Sequence, residues 1–158
     1  MKSYRNTALT RMASLLKLNV INISCGTFTG KWTCTLPFNR LIYIFESGQT
    51  QSRIYNNEAI FEMLPGHWLF IPAGVQTSHG QHDGLKLISL QFNLELITGN
   101  EYMNGCRKMY MGEAQERRDD FFSLMGTNPD ISNVFTLQKL IWDFIFPAAE
   151  KEKDNLHN

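Results

Sequence analysis

Between Val20 and Leu96 the chain is written in short β-type runs broken by Gly, Pro and Asn, and this texture constrains its fold more than any other feature. The runs are Val20–Ser24, Lys31–Leu36, Leu41–Glu46, Gln51–Tyr55, Ile60–Met63, His67–Ile71 and Leu85–Leu94. They recur at a spacing of roughly 8–12 residues, with Glu46-Ser-Gly48, Asn56-Asn57 and Pro65-Gly66 as turn signals between them. Such spacing leaves no room for crossover helices and predicts an antiparallel sandwich or barrel. Leu85–Leu94 alternates in part, so one of its faces is expected to be buried.

Helical periodicity flanks this stretch. Leu9, Met12, Ala13, Leu15 and Leu16 predict a helix over Thr7–Leu18, with Asn6 or Thr7 as N-cap. Glu113–Met125 and Val134–Phe146 read as two further helices. Asn128-Pro129-Asp130 is the turn between them, Pro147 closes the second, and Glu150–Asn158 is a polar, frayed tail. The expected division is an N-terminal arm or helix over 1–19, a barrel over 20–97, a helical region over 98–149 and a tail over 150–158. At 158 residues this is one domain.

Charge and composition exclude several functions. Lys+Arg and Asp+Glu both count 15, so the formal net charge is +0. A nucleic-acid grip needs an excess of cations to neutralise phosphates, and this chain has none. Charged residues make up 19%, against roughly 25% in an average domain. Together with 43% hydrophobic residues, that leaves apolar surface for a ligand or partner. No apolar run approaches the ~18 residues of a membrane span. Lys17 and Asn19 interrupt the apolar start, no small-residue cleavage site follows, and a cytoplasmic protein is expected. Cys25, Cys34 and Cys106 form neither a disulfide framework nor a zinc pattern, and are expected as buried free thiols.

The most specific local pattern runs from Gly66 to His79, Gly-His-Trp-Leu-Phe-Ile-Pro-Ala-Gly-Val-Gln-Thr-Ser-His. Pro65-Gly66 turns into a five-residue strand, and Pro72-Ala-Gly74 makes a tight turn out of it. This resembles the second conserved motif of the cupin fold, a small jelly-roll barrel. Metal-dependent cupin enzymes carry His three residues after the motif's Gly, where this chain has Thr77. They also carry a His-x-His…Glu set, where Phe38–Ser47 offers only Glu46. A metal-free barrel with no cofactor is therefore expected.

The order of segments extends the resemblance. An N-terminal helix, cupin strands, the phrases RLIYIFESGQ, LPGHWLFIPAG and GLKLISLQF, and C-terminal helices follow one another from about Leu16 to Ala149. This looks like the regulatory domain of AraC-type transcription regulators. The resemblance implies a cupin barrel that binds a small effector, a homodimer through the helices after it, and DNA binding by a separate helix-turn-helix domain. The chain stops shortly after Pro147, so that domain lies outside it, and a fragment or a stand-alone sensor is expected. The alternative is a small cupin enzyme, of isomerase or dioxygenase type, with an atypical or lost metal site. A dimerisation module with a filled barrel is a third possibility.

In sugar-binding members of the family, the contact positions correspond to Thr33, Ser47, His79, Leu87 and Ser89. Those members place Arg at the Ser47 position and an aromatic platform at the Ser89 position, so pentose binding in the same manner is not expected. Strand alternation puts Tyr43, Phe45 and Ser47 on one face and Ser89 with Gln91 on another, which adds Tyr43 and Gln91 as candidates. Plainer roles stand beside these: His79 bridging loop backbone, Tyr43 in the core, and Thr33, Ser47 and Ser89 as ordinary strand residues. Trp32 and Trp68 are assigned to packing. No nucleophile–base pair, paired carboxylate or phosphate loop occurs at a meaningful spacing. Glu113, Glu116, Asp119 and Asp120, with Arg117 and Arg118, read as a solvated helix face.

The last helix is apolar on two sides. Leu137, Ile141 and Phe144 make one, and Phe135, Trp142 and Phe146 make another. A symmetric dimer would cover the second side, with Phe135, Leu137, Ile141, Trp142 and Phe146 as the interface. The preceding helix, through Phe121, Phe122 and Leu124, is the alternative cover.

Overall fold

Leu41-Ile-Tyr-Ile-Phe45 has no polar residue to alternate with, which suits a strand covered on both faces. In the computed structural model, which describes residues 16–96, 106–126 and 131–156, that is its position. Seven strands form one sheet: β1 (Leu16–Thr35), β2 (Asn39–Glu46), β3 (Arg53–Tyr55), β4 (Ile60–Glu62), β5 (His67–Ile71), β6 (Gln76–Leu96) and β7 (Tyr110–Glu113). A 3-10 turn (Gln115–Arg117) leads to helices α1 (Arg118–Ser123) and α2 (Ile131–Leu156). Strand order is β4-β3-β6-β2-β5-β7, β1 lies along the other edge of β6, and the pairings are antiparallel. The architecture is mostly β, a nearly closed antiparallel barrel with two C-terminal helices, as expected.

Several expected boundaries move, each for a physical reason. Val20–Ser24 and Lys31–Leu36 are not separate strands but parts of β1. Gly30, at φ 123°, sits between register shifts, so glycine here bends one continuous strand between the two expected runs. β6 likewise begins at Gln76, and β7 is a strand without a sequence signal, paired to β5 from Tyr110 to Glu113. Leu16–Leu18 open β1, so they are not helical; the rest of the expected N-terminal helix lies outside the described residues. So does the Asn128–Asp130 turn.

Glu113–Met125 is not one helix: Glu113 ends β7, and the 3-10 turn precedes the short α1. Pro147 does not close α2, which continues to Leu156 through the expected tail. Pro147 removes the hydrogen bond to the Asp143 carbonyl, and both residues face solvent, where water can replace it. Of the cysteines, Cys106 is buried but Cys25 is exposed, because its position on β1 lies at the surface.

Two apolar layers result. Leu41, Tyr43 and Phe45 of β2 pack with Phe70, Phe121, Leu140, Ile141, Phe144 and Ile145 between barrel and helices. Ile42 and Ile44 turn the other way and pack inside the barrel with Ile54, Met63, Leu69, Ile71, Leu85 and Leu87. Arg117 ties α1 to α2 through Asp120 at 3.0 Å and Asp143 at 2.8 Å, while the Arg118 guanidinium lies 5.3 Å over the Phe45 ring. The charge run is thus an anchor as well as a solvated face.

Candidate functional site

Arg40 has the same parity on β2 as Ile42 and Ile44, so its side chain enters the barrel. It is only 6% exposed. One guanidinium nitrogen donates to the Thr77 hydroxyl at 3.4 Å, another to Cys34 Sγ at 3.7 Å, and Nε has no partner. Among the described residues no carboxylate pairs with Arg40. Burial pushes its pKa below the usual range, with the neighbouring Cys34 sulfur working against that shift. Removing a cation from water without a counter-ion costs several kcal/mol, and two long contacts to weak acceptors return little of it.

The histidines arrive by a bulge. A register shift on β1 sets Gly80 and Gln81 of β6 against Lys31, between the Trp32–His79 and Gly30–His82 pairs. The extra residue resets the alternation, and both imidazoles are buried. His79 Nδ1 and His82 Nε2 are 3.0 Å apart, and Trp32 stacks on the His79 ring at 4.3 Å. Burial first, then His82 and Arg40, push the His79 pKa down to about 3, and burial lowers that of His82. Both rings are therefore neutral at neutral pH. One ring donates to the other, so one N–H and one lone pair remain unused, on His79 Nε2 and His82 Nδ1. Ser89 Oγ, also buried, has no partner either.

The expected ligand residues are scattered by the fold. His79 belongs to the buried polar cluster with Arg40, Thr77 and His82. Ser89 faces the interior across from Ile42, and Leu87 packs in the interior core. Gln91 is half-buried and donates to Ser24 Oγ at 3.2 Å. Thr33 is exposed and bonds the Ser78 hydroxyl at 3.1 Å. Ser47 donates to the Met63 carbonyl at 2.7 Å. Tyr43 lies in the layer toward the helices, its ring stacked on Phe121 at 4.4 Å and its hydroxyl donating to the Ala114 carbonyl at 3.1 Å. Trp68 packs against Phe144, as assigned, and Trp32 packs on the rings of His79 and His82. Sequence reasoning missed Arg40, Thr77 and His82 as a group. Parity with Ile42 was the available signal for Arg40; for His82 there was none, because the bulge is set by the partner strand.

Leu137 and Ile141 are buried in this chain's own core, which corrects their assignment to an interface with a second copy. Phe135 is 66% exposed, and Trp142, stacked on Phe146 at 4.7 Å, is half-buried. An open groove of about 310 Å³ lies between β1 and the start of α2, lined by Ile23, Cys25, Leu124, Val134 and Leu137 among others. None of the unpartnered buried polar atoms lies in it. Among the described residues, no three His, Cys, Asp or Glu side chains gather as a metal site, and no helix is long and apolar enough to cross a membrane.

No protein-family model matches the chain, and no curated protein matches it. Among solved structures it is similar to ToxT from Vibrio cholerae strain SCE256, determined with an unsaturated fatty acid bound, at 8% identity and a TM-score of 0.46. That alignment covers 87% of this chain and 55% of the ToxT chain, so this chain spans little more than half of it. A protein provisionally assigned as a mannose-6-phosphate isomerase, from Ralstonia eutropha JMP134, aligns over 50% of this chain and 73% of its own, at 22% identity and a TM-score of 0.30. Likenesses of this strength do not bear on what the chain binds.

Proposed function

We propose that this chain is the effector-sensing and dimerisation module of an AraC-type transcription regulator, whose DNA-reading domain lies outside the sequence. The observation that carries the reading is the set of buried polar atoms without partners inside the barrel: Arg40 Nε, His79 Nε2, His82 Nδ1 and Ser89 Oγ. Native interiors satisfy nearly all such atoms, and a site held ready for a ligand is a standing reason for exceptions. Effector occupancy would then shift the balance among arrangements of the attached DNA readers.

Thermal unfolding with a library of small sugars, alcohols and acids tests the reading. A true effector at a hundred times its Kd stabilises the fold by about 2.7 kcal/mol. A library that leaves the transition unmoved counts against a sensing role. The competing enzyme reading draws on the neutral imidazole pair; stoichiometric iron, nickel or manganese in the purified protein would favour it.

Dimerisation draws its support from Phe135, Trp142 and Phe146, which the barrel leaves wholly or partly uncovered. The double variant Phe135→Glu, Trp142→Glu is expected to sediment as a folded monomer. A dimer that survives both changes places the interface elsewhere.

A further inference from the structure

We infer that the barrel interior takes an organic monocarboxylate with an apolar body, its carboxylate seated on the Arg40 guanidinium. The inference rests on the reading of the interior as a ligand site and names the chemistry of the ligand. Arg40 is a buried cation with a free Nε and no carboxylate partner among the described residues. A neutral sugar would leave that charge without a counter-ion. A carboxylate matches the planar fork of a guanidinium and accepts several hydrogen bonds at once.

The surroundings complete the match. The histidine pair carries an unused N–H in either tautomer, and the Ser89 hydroxyl is a free donor, so the walls supply donors to an acceptor-only group. Neither imidazole is charged at neutral pH, which leaves a single cation among these groups and suits a monoanion better than a phosphate dianion. Beyond the polar end Ile42, Ile44, Leu69 and Leu87 form a buried apolar cluster, the surroundings that an apolar body would meet. Met63 and Met109 belong to the same cluster, and their unbranched side chains adapt to different shapes.

Calorimetric titration of the purified protein with matched probes tests this. Decanoate and benzoate present the carboxylate on a chain and on a compact ring, decanol carries the chain without the charge, and acetate the charge without the body. One or both of the first pair should bind at least tenfold more tightly than decanol and acetate, and which of them binds defines the body. Arg40→Met should reduce that binding at least tenfold while leaving the fold as stable as before or more so. Arg40→Lys, which keeps the charge but not the fork, should fall between. Equal binding of decanol and decanoate overturns the inference while the sensing role stands, as does binding of a neutral sugar with no carboxylate bound. If neither decanoate nor benzoate binds, the inference falls, and the thermal-unfolding library decides the sensing role separately. If Arg40→Met does not fold, the wild-type comparison of decanoate with decanol still decides.

Discussion

The two faces of β2 share a backbone and border different interiors. Toward the helices, Leu41, Tyr43 and Phe45 meet Phe121, Ile141 and Phe144, and the Tyr43 hydroxyl finds the Ala114 carbonyl. Toward the barrel axis, Ile42 and Ile44 share their face with Arg40, near a histidine pair and a serine whose polar atoms lack partners. The first region bears the marks of a layer that has only to be stable, since its buried tyrosine is both stacked and hydrogen-bonded. The second retains unsatisfied groups at a cost in stability, which is intelligible where something else is to be bound.

The largest expected effect tests the helix-facing layer. Phe121→Ala removes a fully buried ring that stacks on Tyr43 and touches Phe144, and should cost about 3–5 kcal/mol in urea unfolding. A loss under about 1 kcal/mol would mean that the helices are only loosely docked and that this layer is no firmer than the barrel interior.

Acid should act on the buried histidine pair next. His79 holds a pKa of about 3 in the fold against 6.5 in the unfolded chain, so below pH 6.5 the unfolded state binds the extra proton. Stability is therefore lost as pH falls from 6.5 toward 3, by at most about 1.4 kcal/mol per pH unit for one proton. His79→Phe should flatten that part of the stability–pH curve, and an unchanged curve would move the titration to other groups.

The finest comparison sets two hydroxyls against each other. Tyr43→Phe leaves the Ala114 carbonyl without its partner and should cost about 1 kcal/mol. Ser89→Ala deletes a hydroxyl that bonds nothing in the structure, and stability should stay within about 0.5 kcal/mol or rise. Equal costs for the two would erase the distinction between the faces.

Much of the barrel was legible from the sequence. The Pro72-Ala-Gly74 turn forms, Gly66 and Gly74 stand at φ 79° and 78°, and β2, β4 and β5 fall on their predicted runs. The candidate site was far less legible. Tyr43 and Ser47 were grouped by parity, but parity does not say which face looks inward, and here the helices claim the Tyr43 side. Thr33 faces solvent, and of the proposed ligands His79 and Ser89 are the buried polar groups on the barrel side.

What the sequence determined by itself is what depends on neighbours along the chain: turn chemistry at Gly48, Gly66 and Gly74, the doubly apolar run of β2, and the apolar stripe of the last helix. Tertiary structure alone decided the joining of two runs into β1, the passage of α2 through Pro147, and the gathering of Arg40, Thr77, His79 and His82. Those outcomes depend on register between distant strands and on which surface covers which, and a bulge opposite Lys31 is enough to turn His82 inward.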